Sequence, residues 1–343
     1  MKSFFYATCI FSLLATSAFA TVYVSSPTNN SVVSSPVEYK ATATTSTCSK
    51  GVASMGIYVD NSLVYVVDGA SMDHELSLSD GSYHTVVEEW DHCGGATYTS
   101  VDITVKGGNS GHTLAHLQAS SGWKSWGELP PGYGICNYPC PGVSWWMKQG
   151  IKSPSLSGDA TEFYLGGSKP YADVLFSNPL IGQGSTQGIP DTGHTLLPTL
   201  HNFTYDVYFY PTNIGVTQVL EFDISMYFDS LGLIWGNQCN ILGGHVWDVW
   251  DNVSHNWVST GAPCNPVNNA WNHLTIQVQR ESDNWLLFQS ITLNGQQHNI
   301  NKYYAPGSAP SNWWGITVNY QMDGNHDQAA YTTYLDNFSF TYY

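Results

Sequence analysis

The sequence predicts an all-β protein made of two antiparallel sandwiches, a small one followed by a larger one. Three observations lead there. Short runs in which apolar and polar residues alternate with period two recur along most of the chain. Gly, Pro, Asn and Asp turn signals separate them, and helical spacing is nearly absent, with only a short candidate at 114–120. Just 10% of the 343 residues are charged, while Tyr, Trp, Asn, Gly, Ser and Thr abound, a composition suited to strands and turns. A chain of this length exceeds what one core usually holds, so two domains are expected.

Residues 1–20 read as a signal peptide rather than part of the fold. Lys2 supplies a positive start, 4–14 is apolar, and Ala18-Phe19-Ala20 is a small-x-small cleavage site. The mature protein is expected to begin near Thr21 and to be secreted, extracellular or periplasmic. No later run approaches the ~20 apolar residues of a membrane span. Acids outnumber bases 26 to 10, for a net charge of −16, and no basic patch is visible. Such a chain repels nucleic acid, anionic lipid and polyanionic glycans, and neutral polysaccharide fits its charge better. Of the seven cysteines, Cys9 leaves with the leader. Proximity in sequence suggests Cys48–Cys93, Cys136–Cys140 and Cys239–Cys264 as disulfides in an oxidising compartment. One Cys-x-x-x-Cys pair is too little for a zinc site.

The first domain is expected over 21–105. Strand candidates are 22–24, 37–43, 54–59, 62–67, 74–78, 82–90 and 97–105, parted by Pro-Thr-Asn-Asn, Asp60-Asn61 and Asp80-Gly81 turn signals. That number and spacing indicate an immunoglobulin-like sandwich. The SPTNNSVVSSPV opening, the IYVD strand and the LSDGSYHTVVEEWD strand resemble the Ig-like modules attached to secreted bacterial proteins, over about 85 residues. The resemblance implies spacing or presentation rather than chemistry, and Cys48 and Cys93 depart from it. The Lys-Gly-Gly-Asn-Ser-Gly run at 106–111 is a linker, and 112–150 is rich in aromatics, Gly and Pro without clear periodicity.

The second domain is expected over 112–343. Its strand candidates are 161–165, 172–177, 204–210, 219–227, 231–238, 245–250, 273–280, 285–293, 313–321 and 332–342. The strand LEFDI, the segment WNHLTIQVQRESDNWLLFQSITLNG and the terminal strand YLDNFSFTY resemble the concanavalin A-like jelly roll. That fold hosts lectins, glycoside hydrolases, polysaccharide lyases and adhesion modules, so the resemblance implies a fold and leaves the activity open.

Alternation selects the candidate site. In 220–226, Leu220, Phe222, Ile224 and Met226 point one way and Glu221, Asp223 and Ser225 the other. Carboxylates at i and i+2 stand about 6.5–7 Å apart, within reach of the spacings glycoside hydrolases use. Sandwich glucanases resembling this fold carry Glu-x-Asp-x-(x)-Glu on the catalytic strand. Glu221 and Asp223 match its first half, but Ser225 and Met226 stand where the second Glu belongs. Any partner must come from another strand, and Asp248 and Asp323 are the nearest candidates. The same parity sets Gln277 and Gln279 on one strand, and Asn319, Gln321 and Asp323 on another, away from apolar partners. Sharing a sheet with 220–226, they would line a polysaccharide cleft, since amides and carboxylates bond sugar hydroxyls well. The run from His245 through Trp247 and Asp248 to Trp250 adds a His–Asp pair capable of proton transfer. Trp235, Trp247, Trp250, Trp257 and Trp271 are candidates for stacking on sugar rings, with Trp235 and Trp250 foremost and most of the others expected in the core.

No Gly-x-Ser-x-Gly elbow and no His-Glu-x-x-His occurs, which argues against serine esterases and zincins. No cofactor is required by these readings. Asp323, Asn325 and Asp327 at i, i+2 and i+4 offer part of a structural calcium site. Three functions stay open: a glycoside hydrolase (a lyase is the weaker variant) acting through Glu221 and Asp223, with Asp248 and His245 as further candidates; a non-catalytic carbohydrate-binding or adhesion protein using the same face; or an exported structural module that engages no glycan.

Overall fold

The computed structural model describes residues 20–76, 78, 81–106 and 111–343. The predicted leader (save Ala20), most of the predicted linker and Asp80 of the Asp80-Gly81 turn lie outside the described residues. The chain divides into two compact units, Met1–Ser110 and Gly111–Tyr343. Both consist of antiparallel sheets, with one parallel pairing noted below.

The first unit runs β1 (Thr21–Ser26), β2 (Ser31–Val33), β3 (Val37–Thr44), β4 (Val52–Val59), β5 (Ser62–Asp68), β6 (Ser71–Leu76), β7 (Gly81–Asp91) and β8 (Ala96–Val105). One sheet has the order β1-β3-β6 and the other β2-β8-β7-β4-β5, with β2 parallel to β8. Along β3 the alternation is plain: Val37, Tyr39, Ala41 and Ala43 are buried while Lys40, Thr42 and Thr44 are exposed. Their apolar face meets Met55, Ile57, Val87, Val101 and Ile103, giving this unit its own core. Cys48 and Cys93 are disulfide-bonded.

The second unit holds β9 (His112–Leu114), β10 (Lys124–Leu129), β11 (Gly134–Cys136), β12 (Val143–Ile151), β13 (Ala160–Gly167), β14 (Asp173–Gly182), β15 (Asn202–Pro211), β16 (Thr217–Phe228) and β17 (Leu231–Trp235). There follow β18 (Asn237–Asn240), β19 (Val246–Asp251), β20 (Asn256–Pro263), β21 (Asn272–Arg280), β22 (Leu286–Leu293), β23 (Gln296–Tyr304), β24 (Gly307–Ser308), β25 (Gly315–Gly324) and β26 (Tyr331–Tyr342). Ten strands form a sheet ordered β11-β10-β14-β25-β16-β18-β19-β20, with β17 also paired to β16 and β24 paired to β17. The other eight are ordered β12-β13-β26-β15-β21-β22-β23, with β9 on β26. The sheets share an aromatic core. Phe163 of the eight-stranded sheet meets Phe176 and Tyr320 of the other at ring-centre distances of 4.8 and 5.3 Å, and Tyr205 meets Phe222 at 6.1 Å. Edge-to-face contacts of this kind suit the ring quadrupoles. Cys136–Cys140 and Cys239–Cys264 are the remaining disulfides.

The helix expected at 114–120 is a single 3-10 turn, Leu117–Ala119. The region without periodicity contains β10 and β12. β10 reads Lys-Ser-Trp-Gly-Glu-Leu, and its Gly127 is required by packing: a Cβ there would lie 2.8 Å from the Trp145 ring. The run read as one strand over 231–238 is two, β17 and β18, which pair with successive parts of β16 on either side of Gly236.

Candidate functional site

β16 follows its alternation closely. Leu220, Phe222, Ile224 and Met226 are fully buried in the core between the sheets. Glu221, Asp223 and Ser225 occupy the opposite face, which is not the solvated one its polarity suggests: they are 7%, 7% and 3% exposed. Neighbouring strands continue this face. Glu221 lies opposite Gln321 of β25 and Gln238 of β18, and Asp223 lies opposite Asn319. Two residues along β25, Asp323 pairs with Asp173 of β14, and Asp173 pairs with Glu128 of β10. Directly opposed residues stand about 4.5–5.5 Å apart at Cβ and diagonal ones about 7–8 Å. Glu128, Asp173 and Asp323 therefore form a row across three adjacent strands, with Glu221 diagonal to its end.

These five carboxylates line one cleft of about 580 Å³ with Tyr133, Gln238, Asn240, Gln321, Trp250 and Trp257. Trp250 and Trp257 oppose each other on β19 and β20, with ring centres 5.2 Å apart at 64°, and make its apolar wall. Gly236 leaves room for them, because a Cβ there would lie 2.9 Å from Trp250 Cβ and 3.0 Å from the Trp257 ring. Among the described residues lining the cleft there is no Lys, Arg or His.

Burial without a cation pushes every one of the five carboxyls up. For Glu221 burial is the main cause, followed by Asp323, Asp223, Asp173 and Glu128, and it lies well above the usual carboxylate range. Burial and then Asp323 and Glu128 raise Asp173. Burial raises Asp323, against a Gln321 side-chain hydrogen bond that pulls the other way, and it also raises Glu128. Asp223 is pushed up by burial only to about 7, because the Asn237 N–H donates to its Oδ1 at 3.0 Å and favours the charged form. The cleft thus holds Glu221, Asp173 and Asp323 strongly biased toward their acid forms, with Asp223 beside Glu221 ionising near neutrality. Environments that separate two pKa values in this way define an acid and a base.

The structure divides the remaining sequence candidates. Gln321, Asp323 and Trp250 line the cleft, and Asn319 sits opposite Asp223. Asp248 shares the cleft sheet but accepts from Gln238 Nε2 at 2.9 Å and Asn240 Nδ2 at 2.8 Å, which leaves it buried beneath their amides. His245 belongs to an exposed turn with φ 58°, outside the cleft lining. Trp235 is fully buried and packs on Phe203 at 5.3 Å, so it is a core residue and not a sugar platform. Gln277 and Gln279 correctly point away from Leu274, Ile276 and Val278 but belong to β21 in the eight-stranded sheet, where they bond Ser290 and Gln289. The proposed calcium trio is split: Asp323 lines the cleft, Asn325 donates to Gly215 O and accepts from the Asp327 N–H, and Asp327 is exposed beside His326. Glu128, Asp173, Tyr133 and Gln238 were missed. Parity over 172–177 puts Asp173 and Ser177 on the face opposite Val174 and Phe176, but Leu175 lies between them, so the signal was partial.

No protein-family model and no curated protein sequence matches the chain. Solved structures that align with it include one from a study of the promiscuous specificity of carbohydrate-binding modules of the β-sandwich superfamily, at 9% identity and a TM-score of 0.33 over 93% of this chain and 96% of that one. Cellulose induced protein Cip1 aligns at 11% identity and a TM-score of 0.37, covering 64% of this chain and 91% of its own. Lectin I from Ulex europaeus aligns at 12% identity and 0.36, covering 65% and 98%. No functional assignment follows from likeness at this level.

Proposed function

We propose that the larger unit is a secreted carbohydrate-active domain that hydrolyses a glycan in this cleft. Glu221 is the general acid, protonating the leaving oxygen, and Asp223 is the base that activates water. The observation that carries the reading is the pair of buried carboxyls on one strand, one held in its acid form and the other poised near 7 by the Asn237 N–H. Their Cβ spacing of about 6.5–7 Å suits inversion, which leaves room for a water between acid and base. Trp250 and Trp257 offer ring faces to a pyranose, and Gln238 and Gln321 offer amides to its hydroxyls. The three disulfides fit an oxidising, extracellular setting, and no described helix is long and apolar enough to cross a membrane. The smaller unit acts as an Ig-like spacer.

The test is incubation of the mature protein with plant, fungal and bacterial glycans, scoring both reducing ends and retention. Cleavage lost by at least about 100-fold in Glu221→Gln is the expected outcome. Retention without cleavage, unchanged by that substitution, would turn the reading into non-catalytic glycan binding by the same face, a role its amides already favour. Neither cleavage nor retention would end both.

A further inference from the structure

The cleft holds more acid than hydrolysis by two carboxyls requires. With Glu221 and Asp223 assigned, the Glu128–Asp173–Asp323 row remains, lined up across β10, β14 and β25. Asp173 and Asp323 are 3% and 6% exposed, and the Oδ1 of each is buried with no hydrogen-bond partner. A buried acceptor left without a donor costs about 1–3 kcal/mol. Two such atoms side by side in one cleft wall mark a place where a ligand supplies the donors. Asp336, buried in the same unit, shows that the fold can fully serve an acid: six donors converge on it.

The donors the row lacks are best supplied by a group that also carries positive charge. An ammonium presents three N–H donors and neutralises acids that have no Lys, Arg or His beside them. Tyr133, in the turn between β10 and β11, lines the same end of the cleft, and Asp173 and Asp323 add to the burial that raises its phenol. An aromatic ring beside acidic side chains is suited to a bound cation. A bare metal ion fits less well. Among the described residues, no three carboxylates of the cleft bring oxygens within 4.8 Å of one another, whereas the spread row suits a larger, directional ligand.

We propose that the Glu128–Asp173–Asp323 row is a subsite for the protonated amine of an amino sugar, so that the cleft's substrate class is a glycan with free amino groups rather than an uncharged one. This rests on the reading that the cleft holds a glycan, and narrows it. Binding is linked to protons. Asp173 and Asp323, which burial holds in their acid forms when the row is empty, ionise around the ammonium and release protons to solvent, so affinity rises with pH until the amine itself loses its charge.

Calorimetry on the full mature protein tests this. Glucosamine, N-acetylglucosamine and glucose oligomers of equal length are titrated near pH 6 in two buffers of different ionisation heat. The glucosamine oligomer is expected to bind at least about tenfold tighter than the other two, with protons released only in its case. Asp173→Asn and, separately, Asp323→Asn should each shrink that ratio. Equal or weaker binding of the glucosamine oligomer overturns the proposal, as does a preference without proton release or one untouched by both substitutions. Calcium chloride binding the row and abolishing the preference would overturn it in favour of a metal site. If the uncharged oligomers bind and are cleaved with no preference for the amine, the subsite falls while the hydrolase reading stands. If no oligomer binds, both fall.

Discussion

Asp336 and Asp173 are both buried, both on strands of the larger unit, and in opposite conditions. Asp336 of β26 accepts from Ser155 Oγ, Leu156 N, Ser157 N and Oγ, Gln118 Nε2 and Asn337 N, at 2.6–3.2 Å. These bonds hold its carboxyl below the usual range despite burial. In the smaller unit Asp91 is treated alike: Thr45, Thr47, Cys93 and Gly95 donate to it, and its pKa falls to about 2. Asp173 receives a raised pKa, two acidic cross-strand neighbours and an oxygen without a donor. Where an acid ties a loop to a sheet, the chain has supplied its donors. In the cleft wall it has supplied them only in part: Gly324 serves Asp173 and Gln321 serves Asp323, yet Oδ1 of each is left without a donor, as is Glu89 Oε2 in the smaller unit, and in the cleft two such oxygens sit on neighbouring strands where a ligand can reach them.

Opposite responses to removing the two charges would sharpen this contrast most. Asp336→Ala leaves several buried donors unpaired and should lower unfolding stability by about 3–5 kcal/mol in denaturant titrations. Asp173→Asn removes a group that must hold its proton to stay buried. It should leave stability unchanged or raise it by on the order of 2 kcal/mol, while damaging glycan recognition. Destabilisation of similar size by both would erase the distinction.

The parts of this contrast differ in how far sequence could show them. The face of Glu221 and Asp223 was readable because Leu220, Phe222, Ile224 and Met226 alternate with them without a break. Its burial was not, since period two separates two faces without saying what covers the second. The same limit misplaced Gln277 and Gln279: their parity on β21 was right, but parity carries no record of which sheet a strand joins. Trp235 read like Trp250 because a strand Trp serves core or cleft equally well, and only the pairing register, which sets Trp235 opposite the core residue Ile224 and Trp250 opposite Trp257, separates them. Glu128 was hidden because β10 is short and interrupted by Gly127, whose reason is the Trp145 ring about 20 residues away in sequence. The two families of acid could not be told apart at all, because donors to Asp336 come from Gln118 and from 155–157 and meet it only in the fold.

The pH dependence of stability offers a second, smaller test. The cleft carboxyls are raised in the folded state, so the fold binds more protons than the unfolded chain between about pH 4 and the folded values. Their contribution is fully present below the unfolded pKa and is lost as pH rises, with Asp223 passing through about 7. Asp336 runs the other way: its contribution is present above the unfolded pKa and lost as pH falls through its depressed value. Stability of the wild type should therefore decline from mildly acidic toward neutral and alkaline pH, by up to about 1.4 kcal/mol per pH unit for each proton of difference. Asp173→Asn should flatten that decline without altering the acid limb. Thermal or denaturant unfolding followed from pH 4 to 9 reads both limbs, and an unchanged alkaline slope in the variant would show that Asp173 ionises normally in the fold.

The smallest effect isolates the apolar wall from the acids. Gly236→Ala places a methyl 2.9 Å from Trp250 Cβ and 3.0 Å from Trp257 Cη2, closer than either can accept without moving. The Trp257 ring is the part able to yield, and it is half-buried at the cleft. Its displacement should weaken glycan binding by about two- to fivefold, a fraction of a ring contact, at a stability cost of about 1 kcal/mol. Because the substitution touches no carboxyl, the loss should be the same for charged and uncharged oligosaccharides and independent of pH between about 5 and 8. A pH-dependent loss would mean that the tryptophans and the acidic row are one coupled device. A loss uniform across ligands and pH would leave the wall as a platform for the sugar ring and the acids as the part that reads its charge.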